Sequence, residues 1–180
     1  YGSPAPELPS YGIVDGWLKT PGYTHAAMVF TGLVCFYLLM CIMGVNWWLA
    51  IAGAIAFAFA SYNIIIIEAG HIVKAYVIGY MPVTLAGMFL LFKRKWLWGA
   101  VLFLLGVAFS LLNGHVQITY YLVLLCFFIY LGYSIKMLKE KQTADWLKTS
   151  LIMLACVVLA VLPNAKHMYS NWDLGQHSIR

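Results

Sequence analysis

The chain has 180 residues, of which 63% are apolar and 9% charged, with a formal net charge of +5 and a mean hydropathy of +0.85. No water-soluble domain of this size has that balance, so lipid is its main solvent. A nucleic-acid partner is excluded by pattern as well, because the surplus of Lys and Arg gathers in short loops between apolar runs and forms no basic patch.

Residues 1–24 differ in kind from the rest. Pro4, Pro6, Pro9 and Pro21 with Gly2, Gly12, Gly16 and Gly22 describe an irregular surface segment. It has neither the basic start nor the apolar middle of a leader peptide. With no initiator Met and an abrupt close at Ser178, Ile179 and Arg180, the chain reads as an internal piece of something longer.

Crossing a bilayer core of about 30 Å takes roughly 20 apolar residues at a rise of about 1.5 Å each. Uncharged runs from about Ala26 to Met43, Trp47 to Ile67, Ala75 to Phe92, Trp96 to Leu112, Val116 to Ile135 and Thr149 to Leu162 are predicted as six transmembrane helices. The last is short, and Trp146, Leu147 and a snorkelling Lys148 extend it toward the interface. Pro82 removes a backbone hydrogen bond inside the third run and is expected to kink it. Strands of a membrane barrel would alternate apolar and polar residues, and these runs are apolar all round. The predicted fold class is therefore all-α, a polytopic transmembrane helix bundle of about six spans. Residues 1–24 form a loop segment, 25–165 a six-helix membrane domain and 166–180 a tail. Cys35, Cys41, Cys126 and Cys156 fall in apolar runs without metal-ligand spacing and read as small core residues.

Charge sets the orientation. Lys93, Arg94 and Lys95 separate spans three and four, and Lys136, Lys139, Lys141 and Lys148 surround the connection between spans five and six. Lying two spans apart, both loops share one side, which holds seven of the eleven basic residues and is assigned to the cytoplasm. The Gly44-Val45-Asn46 turn joins them there. The opposite, extracytoplasmic side receives residues 1–24, the Glu68 to Lys74 junction, the Asn113 to Gln117 junction and the tail.

Most of the distinctive polar groups fall on that second side. Glu68, His71 and Lys74 place an acid, an imidazole and an amine between two apolar runs. Ionisable groups near lipid usually face a bundle interior or an aqueous cavity and mark a functional site. On one continuous helix the three would share about a third of the circumference and converge on one ligand. The competing reading is a wet turn between helices, with Glu68 at a helix N-terminus and Lys74 snorkelling. A second cluster, His115 and Gln117 with Tyr120 and Tyr121, supplies hydrogen bonds and flat apolar surface of the kind a sugar or phosphate headgroup needs. For the tyrosines an interfacial aromatic belt is an equal reading. After span six, Lys166 and Arg180 are candidates for an anionic lipid phosphate, among residues read as ordinary loop. Glu68, His71 and His115 also include ligand types for a divalent metal ion, although no two His have the i, i+4 spacing of a helical metal site.

Taken in order, Glu68-Ala69-Gly70-His71 with Lys74, His115-Val116-Gln117-Ile118-Thr119-Tyr120-Tyr121 and the terminal Ser178-Ile179-Arg180 resemble the bacterial YfhO-like membrane proteins. Gly44-Val45-Asn46 before a Trp-rich helix start and Leu162-Pro163-Asn164 after the sixth span extend the resemblance across nearly the whole chain. It departs from the family form at Gly114, which separates Asn113 from His115.

The resemblance implies a GT-C type glycosyltransferase, which moves a sugar from a polyprenyl-phosphate carrier to a cell-envelope glycan acceptor outside the cytoplasm of a bacterium. Its active face would be the extracytoplasmic side of the inner membrane. In such enzymes an essential acidic residue belongs to the first large extracytoplasmic loop, expected upstream of Tyr1. Transfer from a lipid phosphate needs a carboxylate to deprotonate the acceptor and cations to hold the departing phosphate. Lys74 and Arg180 are assigned to phosphate, His71 and His115 to substrate hydrogen bonding, and Glu68 to orienting the others or assisting the base. Two other classes compete: a transporter or proton-coupled carrier, since acid and His pairs also line ion pathways, and a non-catalytic membrane assembly subunit. Carriers bind near the bilayer midplane, whereas the ionisable groups here sit at one interface.

Overall fold

The computed structural model describes residues 25–112 and 116–177. These residues form seven helices: α1 (His25–Met43), α2 (Trp47–Ala58), α3 (Ser61–Glu68), α4 (Ile72–Phe92), α5 (Trp96–Leu112), α6 (Val116–Lys139) and α7 (Thr143–His177). The chain is thus an all-α, multi-span membrane protein. Five spans are long and apolar enough to cross a bilayer, with α2 and α3 together making one of them, and α5 is shorter at 17 residues.

The second span is not one continuous helix. α2 closes at Phe59, whose N–H donates to Ile55 O, and α3 opens at Ala60, with φ −55° and ψ 137°. Neither Pro nor Gly stands at the break, which lies about 18 Å along the span from Trp47 and about 12 Å from Glu68. The side-chain amide of Asn63 reaches back over it and donates to Phe57 O at 2.7 Å. That bond gives a second donor to a carbonyl that also accepts from Ala60 N at 3.3 Å, where the interrupted helix lacks the usual i+4 bond inside lipid.

α4 is the central helix. In its span 67% of the residues are buried, against 11% in α6. It packs between α1 and α5; α2 lies against α1, and α7 against α5. α4 and α5 meet backbone to backbone. A Cβ on Gly87 would fall 2.6 Å from Phe103 Cα, one on Gly99 2.8 Å from Leu91 N and one on Gly106 2.6 Å from Thr84 N. From Leu91 to Thr84 every step along α4 is matched by an equal step backward along α5, and beyond them the Tyr80 and Phe109 rings lie 5.1 Å apart. α5 therefore runs antiparallel beside α4 for nearly its whole length. Small residues replace bulk at this seam because lipid gives helices no hydrophobic reason to associate, and close van der Waals contact must supply the attraction. α4 also continues through Pro82, as α7 does through Pro163.

The bundle has a basic end. There Lys93 donates to Ile42 O at the end of α1, Arg94 pairs with Asp145 at 2.8 Å, and the Lys148 ammonium lies 4.6 Å over the Trp96 ring. The two predicted basic loops are therefore joined to each other. Arg94 and Lys141 occupy the left-handed conformation, φ 61° and 58°, that closes α4 and α6, with Lys95 N donating to Leu90 O and Gln142 N to Met137 O at 2.9 Å each. The loop expected after the sixth span is helical instead: α7 continues to His177. Asn164 supports that passage by donating to Ala160 O at 2.8 Å, one residue beyond Pro163.

Candidate functional site

At the end opposite the basic loops, α1, α3 and α4 meet over a buried cluster of Met28, Cys35, Ile66, Ile67, Ala75, Tyr76 and Tyr80. This core fixes the turn above it. Gly70 N donates to Ile67 O at 3.0 Å and His71 N to Ile66 O at 2.9 Å, a paired cap that requires a left-handed residue, and Gly70 supplies it at φ 73°. Ile66 and Ile67 on one side and Ile72 on the other anchor the turn, so Glu68 and His71 project outward and are exposed. Lys74 is half-buried in the first turn of α4.

Glu68, His71 and Lys74 thus occupy three different local settings: the last residue of α3, the N-cap of α4 and its first turn. They do not share one helical face, because the Ala69-Gly70-His71 turn reverses the chain between them. Among the described residues none of the three side chains makes a hydrogen bond or ion pair. His71 leaves its cap without a side-chain bond, so no capping side chain satisfies the first backbone N–H groups of α4 at the positive end of the helix. Glu68, three residues before that cap, does not take them as partners. Both charges oppose their own helix dipole, an anion ending α3 and a cation beginning α4, where each costs about 0.3–1 kcal/mol.

At this same end α5 turns into α6, and Thr119 Oγ1 donates to Ser110 O at 3.3 Å. Gln117 Nε2 donates to Tyr121 OH at 3.1 Å, one helical turn away. The Tyr120 and Tyr121 rings, tilted with centroids 5.9 Å apart, are 60% and 53% exposed, which keeps them out of the core. Among the described residues no hydrogen bond joins this cluster to Glu68, His71 or Lys74. His115 and Arg180 lie outside the described residues, as does the loop segment 1–24. Within the described residues no group of three His, Cys, Asp or Glu side chains is placed to hold a metal ion; the suggested metal set includes His115 and so extends beyond them.

Sequence reasoning missed Asn63 and the break in the second span. Its signal was Ser61-Tyr62-Asn63, three polar residues in an otherwise apolar run. Comparison of the chain with protein-family models, curated proteins and solved structures finds no significant match.

Proposed function

We propose that the chain is part of a membrane-embedded glycosyltransferase of the GT-C type, moving a sugar from a polyprenyl-phosphate carrier to a cell-envelope glycan acceptor on the extracytoplasmic face of a bacterial inner membrane. The observation that carries this reading is the placement of Glu68, His71 and Lys74 around the uncapped start of α4, with both charges opposed to their helices and none of the three paired. A site arranged only for stability would place them the other way round. Open N–H groups at a helix N-terminus together with an ammonium suit the phosphate of a lipid carrier. Transfer breaks the bond between the anomeric carbon and the carrier phosphate as the acceptor hydroxyl attacks. Lys74 and the N-terminus of α4 then hold the growing negative charge on phosphate, while His71 and Glu68 orient the acceptor and relay its proton. Gln117, Tyr120 and Tyr121 contribute sugar contacts from the neighbouring corner, and His115 and Arg180 complete the assignment.

A carrier is the second reading, and the observation favouring it is the broken second span. Transporters use discontinuous helices to form sites near the midplane. The residue at this break, however, is an amide already bonded to Phe57 O.

The test is transfer of a radiolabelled sugar from its polyprenyl-phosphate donor in membrane vesicles, using the full-length protein. Glu68→Gln and His71→Ala should each lower turnover at least about tenfold, equivalent to about 1.4 kcal/mol of transition-state stabilisation. Lys74→Ala should weaken donor binding, and Lys74→Arg should restore part of it. Normal transfer by all three disruptive variants would end the assignment; solute flux without any sugar transfer would put the carrier in its place.

A further inference from the structure

Along one side of α6, beside Phe89 of α4, lies a groove of about 370 Å³. Phe89, Phe128, Ile129, Gly132, Tyr133 and Lys136 line it. Its size lies within the range of about 300–1,000 Å³ usual for ligand sites. Phe128, Gly132 and Lys136 follow at intervals of one helical turn, so the groove extends about 12 Å inward from Lys136 along α6. Phe89 and Tyr133, edge to face with centroids 5.9 Å apart, hold the two walls in contact deeper than the cation. A Cβ added at Gly132 would meet no atom within 4 Å, so the middle of the groove is open and not merely lightly packed.

Its polarity is graded. The inner part is aromatic and aliphatic; the outer part closes on Lys136, which is exposed, makes no ion pair among the described residues and belongs to the basic end. An apolar helix from elsewhere would complement the inner part and bury the ammonium unpaired, at a cost of several kcal/mol. An acyl chain with an anionic headgroup complements both parts, and basic pockets between membrane helices on this side bind such lipids. We propose that the α4–α6 groove is a binding site for an anionic glycerophospholipid of the leaflet at the basic end, with one acyl chain against Phe89, Phe128 and Gly132 and its phosphate on Lys136. This site is at the end of the bundle opposite Glu68, His71 and Lys74 and does not depend on the proposed transferase activity.

Native mass spectrometry of the detergent-solubilised full-length protein, titrated separately with phosphatidylglycerol and phosphatidylcholine of identical acyl chains, tests it. Phosphatidylglycerol should bind at least about fivefold more tightly. Lys136→Gln should abolish that preference while leaving phosphatidylcholine binding unchanged, and Lys136→Arg should retain it. Gly132→Leu, whose Cβ meets no atom within 4 Å, should lower occupancy by both lipids at least about fivefold, with an unchanged circular dichroism spectrum and melting temperature as the check on folding. Equal binding of the two lipids by the unmodified protein would overturn the proposal. So would Lys136→Gln and Gly132→Leu proteins that bind phosphatidylglycerol normally, or a protein crosslink from position 132 to another helix that excludes lipid.

Discussion

A helix rewards an acid in its first turn and a base in its last. Glu68 and Lys74 do the reverse, and neither is compensated by an ion pair among the described residues. If they served stability, neutralising them would weaken the fold. The geometry predicts the opposite: Glu68→Gln and Lys74→Gln should each leave the unfolding free energy unchanged or raise it by up to about 1 kcal/mol, read as a higher melting temperature in detergent at low salt. A fall in melting temperature for either would show that the residue has a structural partner. Stability held below its attainable level at a polar site is a common cost of function. This arrangement was only half legible in the sequence. The residue types identify Glu68, His71 and Lys74 as costly near lipid, but treating them as successive positions of one helix hides the reversal. Gly70 carries the missing information, because a glycine before an N-cap allows the left-handed cap that separates the two helices.

At the level of elements, predicted and observed boundaries agree where a polar or glycine-containing turn ends the helix. The helix ends at Met43, Phe92 and Leu112 and the helix starts at Trp47, Trp96 and Val116 coincide with the limits of the uncharged runs. They disagree where a helix outlasts its contact with lipid. α4 begins at Ile72 and not Ala75, α6 ends at Lys139 and not Ile135, and α7 covers Thr143–His177 around a run of Thr149 to Leu162. An uncharged run measures which residues lipid will accept; backbone hydrogen bonding is indifferent to whether the next side chain reaches water. The α4–α5 seam was not legible from periodicity at all, since α5 is apolar all round and only close approach of the backbones singles out its glycines. Gly87→Ala and Gly106→Ala would drive a methyl group into the backbone of Phe103 and Thr84, and each should cost about 1–3 kcal/mol. At Gly53 the nearest atom, 3.3 Å away, is the flexible end of Met40, so Gly53→Ala should cost much less. Thermal unfolding of the three variants in one detergent would decide it, and equal losses would mean that the seam is looser than its spacing implies.

For the molecule as a whole, the orientation depends on how many times the chain crosses the membrane. The crossing that decides this is α5, about 25 Å long and thus a few Å short of a typical hydrocarbon core. If α5 stopped within the bilayer, the Lys93-Arg94-Lys95 loop and the α6–α7 loop would not share a side. Yet Arg94 bonds Asp145 and Lys148 covers Trp96, which places both loops together. The contacts of α5 with α4 from Leu91 down to Tyr80 show that it follows a full-length span back toward the opposite end. With α5 counted as a sixth crossing, the start of α1 and the end of the membrane part of α7 fall on the side of Glu68 and His71. Seven of the eleven basic residues stay on the other side, which the bias of cytoplasmic loops toward Lys and Arg makes the expected cytoplasmic side. Arg94 and Lys141 strengthen the assignment, because each holds a left-handed conformation that costs an ordinary residue about 1–2 kcal/mol where glycine would cost little. A protein that kept these positions only for the turn would gain from glycine there; a protein that needs fixed charge at that end would not. In a background without Cys35, Cys41, Cys126 and Cys156, cysteines introduced by Gly2→Cys and Gly175→Cys should therefore react with a membrane-impermeant thiol reagent in intact cells. A cysteine introduced by Gln142→Cys should react only after the cells are opened. Labelling of Gln142→Cys alone in intact cells would invert the molecule and move Glu68, His71 and Lys74 to the cytoplasmic face, where a sugar acceptor of the cell envelope is out of reach.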